Sequence, residues 1–180
     1  MMTQFEDWMD VTFSQIEGPK PIFHCFDQRN HEVSAIARHL RHLIEVDGIY
    51  PTDICVIYNG GAGRILESQL APKLAKFGVE LSLQKNQSFE RRANTLLATT
   101  PHSYKGYESE VVIIPCVDLY VAPEGKLVAN GLYVAMTRAR SLLAIYGING
   151  GSEASKRVTG SIAACVATQN AQPKIDLSDG

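Results

Sequence analysis

Apolar residues reach this chain in short blocks, and the polar residues between them follow two different periods. Continuous apolar blocks of strand length stand at PIFHCFD, DICVIY, TLLATT, EVVIIPCV and SLLAIYG, with the shorter VELSLQ among them. Between the first two blocks, Val33, Ile36, Ala37, Leu40, Leu43 and Ile44 repeat at helical spacing. They predict an amphipathic helix with Asn30 as its N-cap and Gly48 just past its end. A second helical run spans Arg64 to Phe77, is interrupted or kinked at Pro72 and is stopped by Gly78. A third covers Leu127–Arg138, weakened by Gly131. Lys85–Asn94 reads as an exposed loop or short helix, and Asp118–Lys126 as a turn around Pro123, Glu124 and Gly125. Strands that are apolar throughout and separated by helices predict an α/β fold, a mainly parallel sheet with helices on both faces. In such sheets ligands gather at the carboxyl ends of the strands.

The two ends read differently from the middle. Residues 1–20 carry Trp8, Met9, Val11, Phe13 and Ile16 before Gly18-Pro19-Lys20-Pro21 breaks the pattern, so they form a lead-in segment. Residues 21–150 make up the domain itself. Beyond it, residues 151–180 turn to Gly, Ser, Thr, Ala and Gln, the composition of a partly disordered tail with a short helix around Ser161–Thr168. A length of 180 residues, 45% hydrophobic and 20% charged, suits one such domain. The net charge of −2 excludes a global basic field, so any contact with nucleic acid has to come from a local patch. Four scattered cysteines without a CxxC pair read as reduced thiols rather than as disulfides or a zinc site. There is no signal-peptide pattern and no apolar run long enough to span a bilayer, so the expected location is cytoplasmic, with no membrane partner.

Four polar stretches are candidates for chemistry. The polar face of the first helix carries Arg38, His39, Arg41 and His42. A solvated helix face accounts for them, phosphate contact is the alternative, and a metal would need a third ligand that the sequence does not supply. The loop NGGAGR follows a strand, but it lacks the lysine and hydroxyl of a phosphate-binding GxxxxGK loop and fails the GxGxxG pattern. HSYKGYESE offers Thr100, His102 and Ser103 just ahead of and within it, small donors suited to a phosphodiester backbone. In the same stretch Lys105 supplies a cation, Gly106 a permissive backbone position and Glu108 an acceptor for sugar hydroxyls. YVAMTRAR places Arg138 at a helix C-terminus, where the dipole favours a cation, and Arg140 just beyond. Arginine also suits the charge that develops on a transferred phosphoryl group.

Together these segments resemble the C-terminal RecA-like domain of UvrD/Rep-type superfamily 1 helicases. That family carries a motif of the form TxHxxKGxE before an apolar strand, matched here by Thr100, His102, Lys105, Gly106 and Glu108 ahead of VVIIPCVD. Its last motif has the form YVAxTRAR, matched by Tyr133, Val134, Ala135, Thr137, Arg138, Ala139 and Arg140 ahead of LLAIYG. The resemblance covers roughly 21–147 and is strongest from Thr99 on.

The resemblance implies a part of an ATP-dependent DNA helicase or translocase. Arg138 takes the place of the family's catalytic arginine finger, which reaches the ATP γ-phosphate. Gly106 and Glu108 take the place that holds the nucleotide ribose, while Thr100, His102 and Ser103 approach single-stranded DNA and Lys105 lies between. ATP with Mg is then bound mainly by an N-terminal RecA-like ATPase domain, of the same or another chain, and no metal ligand is expected here. Three features depart from the family. The Walker A and Walker B motifs are missing, the residue after DICVIY is Asn59 where an arginine is usual, and no inserted subdomain is present. The chain therefore reads as a fragment or one part of a larger ATPase, inactive in ATP hydrolysis alone. The alternative is a non-motor helicase-like module that binds DNA or a partner protein without hydrolysis.

Overall fold

The computed structural model describes residues 19–84, 92–121 and 128–171. The expected amphipathic lead-in around Trp8, most of the 85–94 loop, the turn around Pro123 and the end of the tail lie outside the described residues.

Six strands form one sheet in which every pairing is parallel. They are β1 (Ile22–Phe26), β2 (Ile54–Ile57), β3 (Glu80–Leu83), β4 (Thr95–Thr99), β5 (Ser109–Ile114) and β6 (Ala139–Ile148), in the order β1-β6-β5-β2-β4-β3. The apolar blocks land where the sequence pattern places them, because a strand covered on both faces needs apolar side chains on both. On one face α1 (Arg29–Glu45), α2 (Gly63–Ile65), α3 (Ala71–Ala75) and the turn between the last two pack through Ile36, Leu40, Leu66, Leu70 and Leu74 onto Val56, Ile113, Ala144 and Tyr146. On the other, α4 (Ala129–Met136) and α5 (Glu153–Ala171) pack through Leu132, Ala135, Val158 and Ile162 onto Ile57, Val112, Ile114 and Ile145. Successive residues of β2 and β5 thus feed opposite cores, as the two-residue strand period requires.

Three expectations need correction and one is resolved. PIFHCFD, expected as a buried strand, is not one: among the described residues β1 lies at the sheet edge, pairs only with β6 and leaves His24 exposed. Helix α1 starts before Asn30, with Gln28 as an extended N-cap, and Asn30 instead turns its Oδ1 to the His31 N–H at 2.9 Å. Of the two forms expected around Pro72, the run takes the interrupted one. A π-helical turn over Leu66–Leu70 separates α2 from α3, with the Ala71 N–H donating to the Leu66 carbonyl. The wider turn absorbs the missing proline N–H, leaving Pro72 in the first turn of α3, where it costs little. Last, the tail expected to hold a short helix over Ser161–Thr168 supplies the 19-residue α5, whose Val158 and Ile162 are buried in the second core.

The carboxyl edge of the sheet is tied together by a buried ionic cluster. Arg29 pairs with both Glu32 and Asp118. Glu32 Oε1 accepts the Cys116 N–H at 2.7 Å, and Asp118 Oδ1 accepts the Ile148 N–H at 3.1 Å. Burial pushes the Glu32 carboxyl above its ordinary range, with Arg29 and the Cys116 N–H pulling it back. The cluster thereby joins α1, the turn after β5 and the end of β6. Gly147 permits the close approach, since a Cβ there would lie 2.9 Å from Val117 Cγ1.

Candidate functional site

In a parallel sheet, the link from the carboxyl end of one strand to the amino end of the next has to travel the length of the strands. Residues 100–108, between β4 and β5, make that journey without a regular helix, across the face that carries α4. The candidate residues are therefore strung from one edge of the sheet to the other. Thr100, His102 and Ser103 lie at the carboxyl edge, where ligands of such sheets are expected. Glu108 lies at the amino edge beside the start of β5.

Local chemistry shapes each end. At the carboxyl edge Thr100 Oγ1 donates to Ser103 Oγ at 3.1 Å, and the Tyr104 N–H donates to the Thr100 carbonyl at 3.1 Å. This closes a turn that leaves His102 and Ser103 exposed. Pro101 is buried, and its Cγ would meet a Cβ at Gly131 of α4 at 3.8 Å. Lys105 and Glu108 are exposed, and neither has an ion-pair or hydrogen-bonded side-chain partner among the described residues. Gly106 has φ +89°, a backbone state that side-chain-bearing residues rarely adopt, so the KG step is where the loop reverses toward β5.

Tyr104, which the sequence reading passes over, is the centre of the loop. It is 1% exposed. Its hydroxyl donates to the Glu108 carbonyl at 3.2 Å and shares a 2.6 Å hydrogen bond with Ser109 Oγ. Its ring lies 5.7 Å from that of Tyr107. One buried phenol thus links the turn at Thr100 to the residues on either side of the strand start. A tyrosine in a polar loop was the available signal, since a large aromatic there needs something to pack on.

Arg138 follows the last turn of α4. Its Nε donates to the Val134 carbonyl at 3.2 Å, one terminal nitrogen to Thr137 Oγ1 at 3.2 Å and the other to the Tyr107 carbonyl at 3.5 Å. The Arg138 carbonyl accepts the Ser109 N–H at 3.1 Å. Arg138 and Glu108 are therefore brought to the same edge, with Arg138 holding the neighbouring backbone. Among the described residues no carboxylate pairs with Arg138. Arg140 differs: it pairs with Glu110 at 3.4 Å, and Ser141 Oγ donates to the same carboxylate at 2.6 Å. Of the two arginines, only Arg138 keeps its charge uncommitted to an acid.

The departure after β2 has a structural use. Asn59 Nδ2 donates to the Leu119 carbonyl at 2.7 Å, fastening the glycine-rich loop to the turn after β5. Among the described residues no three His, Cys, Asp or Glu side chains are grouped to hold a metal ion, and no helix is long and apolar enough to cross a membrane. All four cysteines are free thiols.

Comparison with known proteins gives this geometry a context. Residues 95–146 match the family described as UvrD-like helicase C-terminal domain. No curated protein matches the sequence. Among solved structures, the C-terminal domain of a possible DNA helicase from Lactobacillus plantarum WCFS1 is similar at a TM-score of 0.59 and 20% identity, covering 79% of this chain and 82% of that one. The C-terminal domain of the DEAD-box protein Dbp5 is similar at a TM-score of 0.54 and 14% identity, covering 84% of this chain and 87% of that one. The S. cerevisiae Dbp5 C-terminal domain bound to Gle1 and IP6 is similar at 0.55 and 12% identity, covering 82% and 85%. At these identities the likeness establishes the fold, which is RecA-like.

Proposed function

We propose that this chain, whose residues 95–146 match a UvrD-like helicase C-terminal domain, supplies one wall of a two-walled site in an ATP-dependent DNA helicase or translocase. In this reading Thr100, His102, Ser103 and Lys105 face a single strand of DNA. Gly106 and Glu108 face the nucleotide ribose, and Arg138 reaches the γ-phosphate. The observation that carries it is the 100–108 connection, which runs from one sheet edge to the other and ends beside an arginine with no acidic partner among the described residues. The side chains suit a nucleotide: the Glu108 carboxylate can accept from hydroxyls, and the Arg138 guanidinium, which among the described residues has neutral acceptors and no acidic partner, can exchange them for phosphate oxygens. ATP with Mg is held mainly by a second RecA-like domain, and it supplies the phosphoanhydride bond that is cut. Arg138 contributes by stabilising charge on the transferred group.

A second reading, a helicase-like module that binds DNA or a protein without hydrolysis, is favoured by Asn59, which stands where the family usually has an arginine and is spent on the Leu119 carbonyl. It also suits the Dbp5 domain, which has been captured with a protein partner, Gle1. Both readings predict that the chain binds a fluorescent single-stranded oligodeoxynucleotide, or in the second case a protein instead. In the first, Lys105→Ala lowers the slope of log K against log salt by about 0.7, the value for one phosphate contact on a single strand. The Thr100→Ala, His102→Ala double variant weakens binding further. An affinity unchanged by all three substitutions removes the DNA-facing assignment.

A further inference from the structure

We propose that the cleft between edge strand β1 and helix α1 binds a phosphate group, held by Arg38, His24 and His39. These residues line one cavity of about 360 Å³ together with Ile22, Phe26 and Tyr146. That size is in the range of small-ligand sites, about 300–1,000 Å³. The cleft lies on the α1 face of the sheet, opposite the face crossed by residues 100–108, so it is separate from the site described above.

Three observations carry the assignment. The first is an unspent cation. Arg29 pairs with Glu32 and Asp118, Arg41 with Glu45, and His42 stands 3.7 Å from Asp47. Arg38, on the same helix, has no acidic partner among the described residues.

The second is convergence on Tyr146. The His39 Nδ1 and the Tyr146 hydroxyl lie 2.5 Å apart, and the His24 ring is 5.6 Å from the Tyr146 ring. The two imidazoles therefore flank one buried phenol.

The third is the ring nitrogen this contact leaves open. The Tyr146 hydroxyl occupies Nδ1, so Nε2 of His39, which has no hydrogen-bond partner among the described residues, is the nitrogen left to donate to a ligand when it carries the proton. A tetrahedral oxyanion accepts from a guanidinium and two imidazoles at once, whereas a planar carboxylate offers two oxygens. The Phe26 and Tyr146 rings give an apolar floor for whatever the phosphate is attached to, a free phosphate ester or a nucleic-acid backbone.

Protonating His39, which burial holds below its ordinary value, adds positive charge to the site, so affinity rises as pH falls. The charged groups acting on His39 are His24, His42 and Asp47, and Glu32 acts on the Tyr146 phenol.

The test uses the 180-residue chain and follows the His24 and His39 ring signals by NMR at constant ionic strength. Inorganic phosphate, a short oligothymidylate and acetate are titrated separately at pH 6.5 and 8. Saturable shifts of both rings by phosphate or by the oligonucleotide, tighter at the lower pH, are expected. Whichever of the two binds tighter identifies the source. Arg38→Ala, at an exposed position, weakens binding by about tenfold or more, and Arg38→Lys recovers part of the loss. No saturable shift with either phosphate probe, an equal response to acetate, or an Arg38→Ala affinity equal to that of the parent overturns the proposal.

Discussion

Replacing Tyr104 with phenylalanine removes one oxygen atom and tests whether residues 100–108 are held as a single unit. The hydroxyl serves two partners, the Glu108 carbonyl at 3.2 Å and Ser109 Oγ at 2.6 Å. The two losses are unequal. Glu108 is exposed, so water replaces the phenol at its carbonyl, whereas Ser109 is 4% exposed and its hydroxyl is left without that partner. The phenylalanine ring keeps the packing, so no cavity opens, and the expected cost is about 1–2 kcal/mol, mostly from the stranded serine. Tyr104→Ala removes the packing as well and costs ~3–5 kcal/mol, as loss of a buried aromatic does. Urea unfolding followed by circular dichroism reads both as drops in midpoint at constant slope. At this chain length each kcal/mol also lowers Tm by about 2–4 °C. In the phenylalanine variant the amide signals of Tyr107 and Ser109 move, because the strand start loses its anchor. A Tyr104→Phe midpoint equal to the parent's, with those amides unmoved, refutes the assignment of the phenol as the link. So does a loss as large as that of Tyr104→Ala.

Other predictions follow from the buried groups. Glu32→Ala leaves the Cys116 N–H without its acceptor and takes one carboxylate from Arg29; the expected loss is ~3–5 kcal/mol in urea unfolding. Glu32→Gln, which still offers an oxygen to that N–H, loses distinctly less, and equal losses count against the hydrogen bond. His39 is held below the usual histidine value of 6.5, first by burial and then by His24 and His42, so the folded state prefers it neutral. The unfolded chain then binds the proton more readily, and the stability His39 contributes is present above pH 6.5 and lost as pH falls through its folded value. His39→Gln flattens that part of the Tm-against-pH curve, and an unchanged curve shows that His39 does not contribute.

The strands were legible because parallel strands covered on both faces must be apolar throughout, as EVVIIPCV and SLLAIYG are. Position in the sheet was not: PIFHCFD is nearly as apolar as the others, yet β1 is an edge strand, since strand order depends on pairings that no local pattern encodes. Helix α5 was underestimated because its buried face rests on widely spaced residues such as Val158 and Ile162 among Ser, Thr, Ala and Gly, a weak periodic signal. The candidate residues stood out as two motifs, but their division between two sheet edges did not, because it follows from the path of 100–108 across the sheet. The ionic cluster escaped the pattern for a similar reason: Arg29 and Asp118 are 89 residues apart and meet only after β1, β5 and β6 assemble.

The central claim, that Arg138 completes a nucleotide site whose other wall belongs to a second RecA-like domain, is tested most directly by ATP turnover. The chain is combined with an N-terminal RecA-like ATPase domain and saturating single-stranded DNA, and the parent is compared with Arg138→Ala. Turnover falling by ~10³–10⁵ with nucleotide affinity nearly intact is the predicted result, because an arginine finger acts on the transition state. Turnover within a few-fold of the parent, or a loss confined to nucleotide affinity, contradicts it.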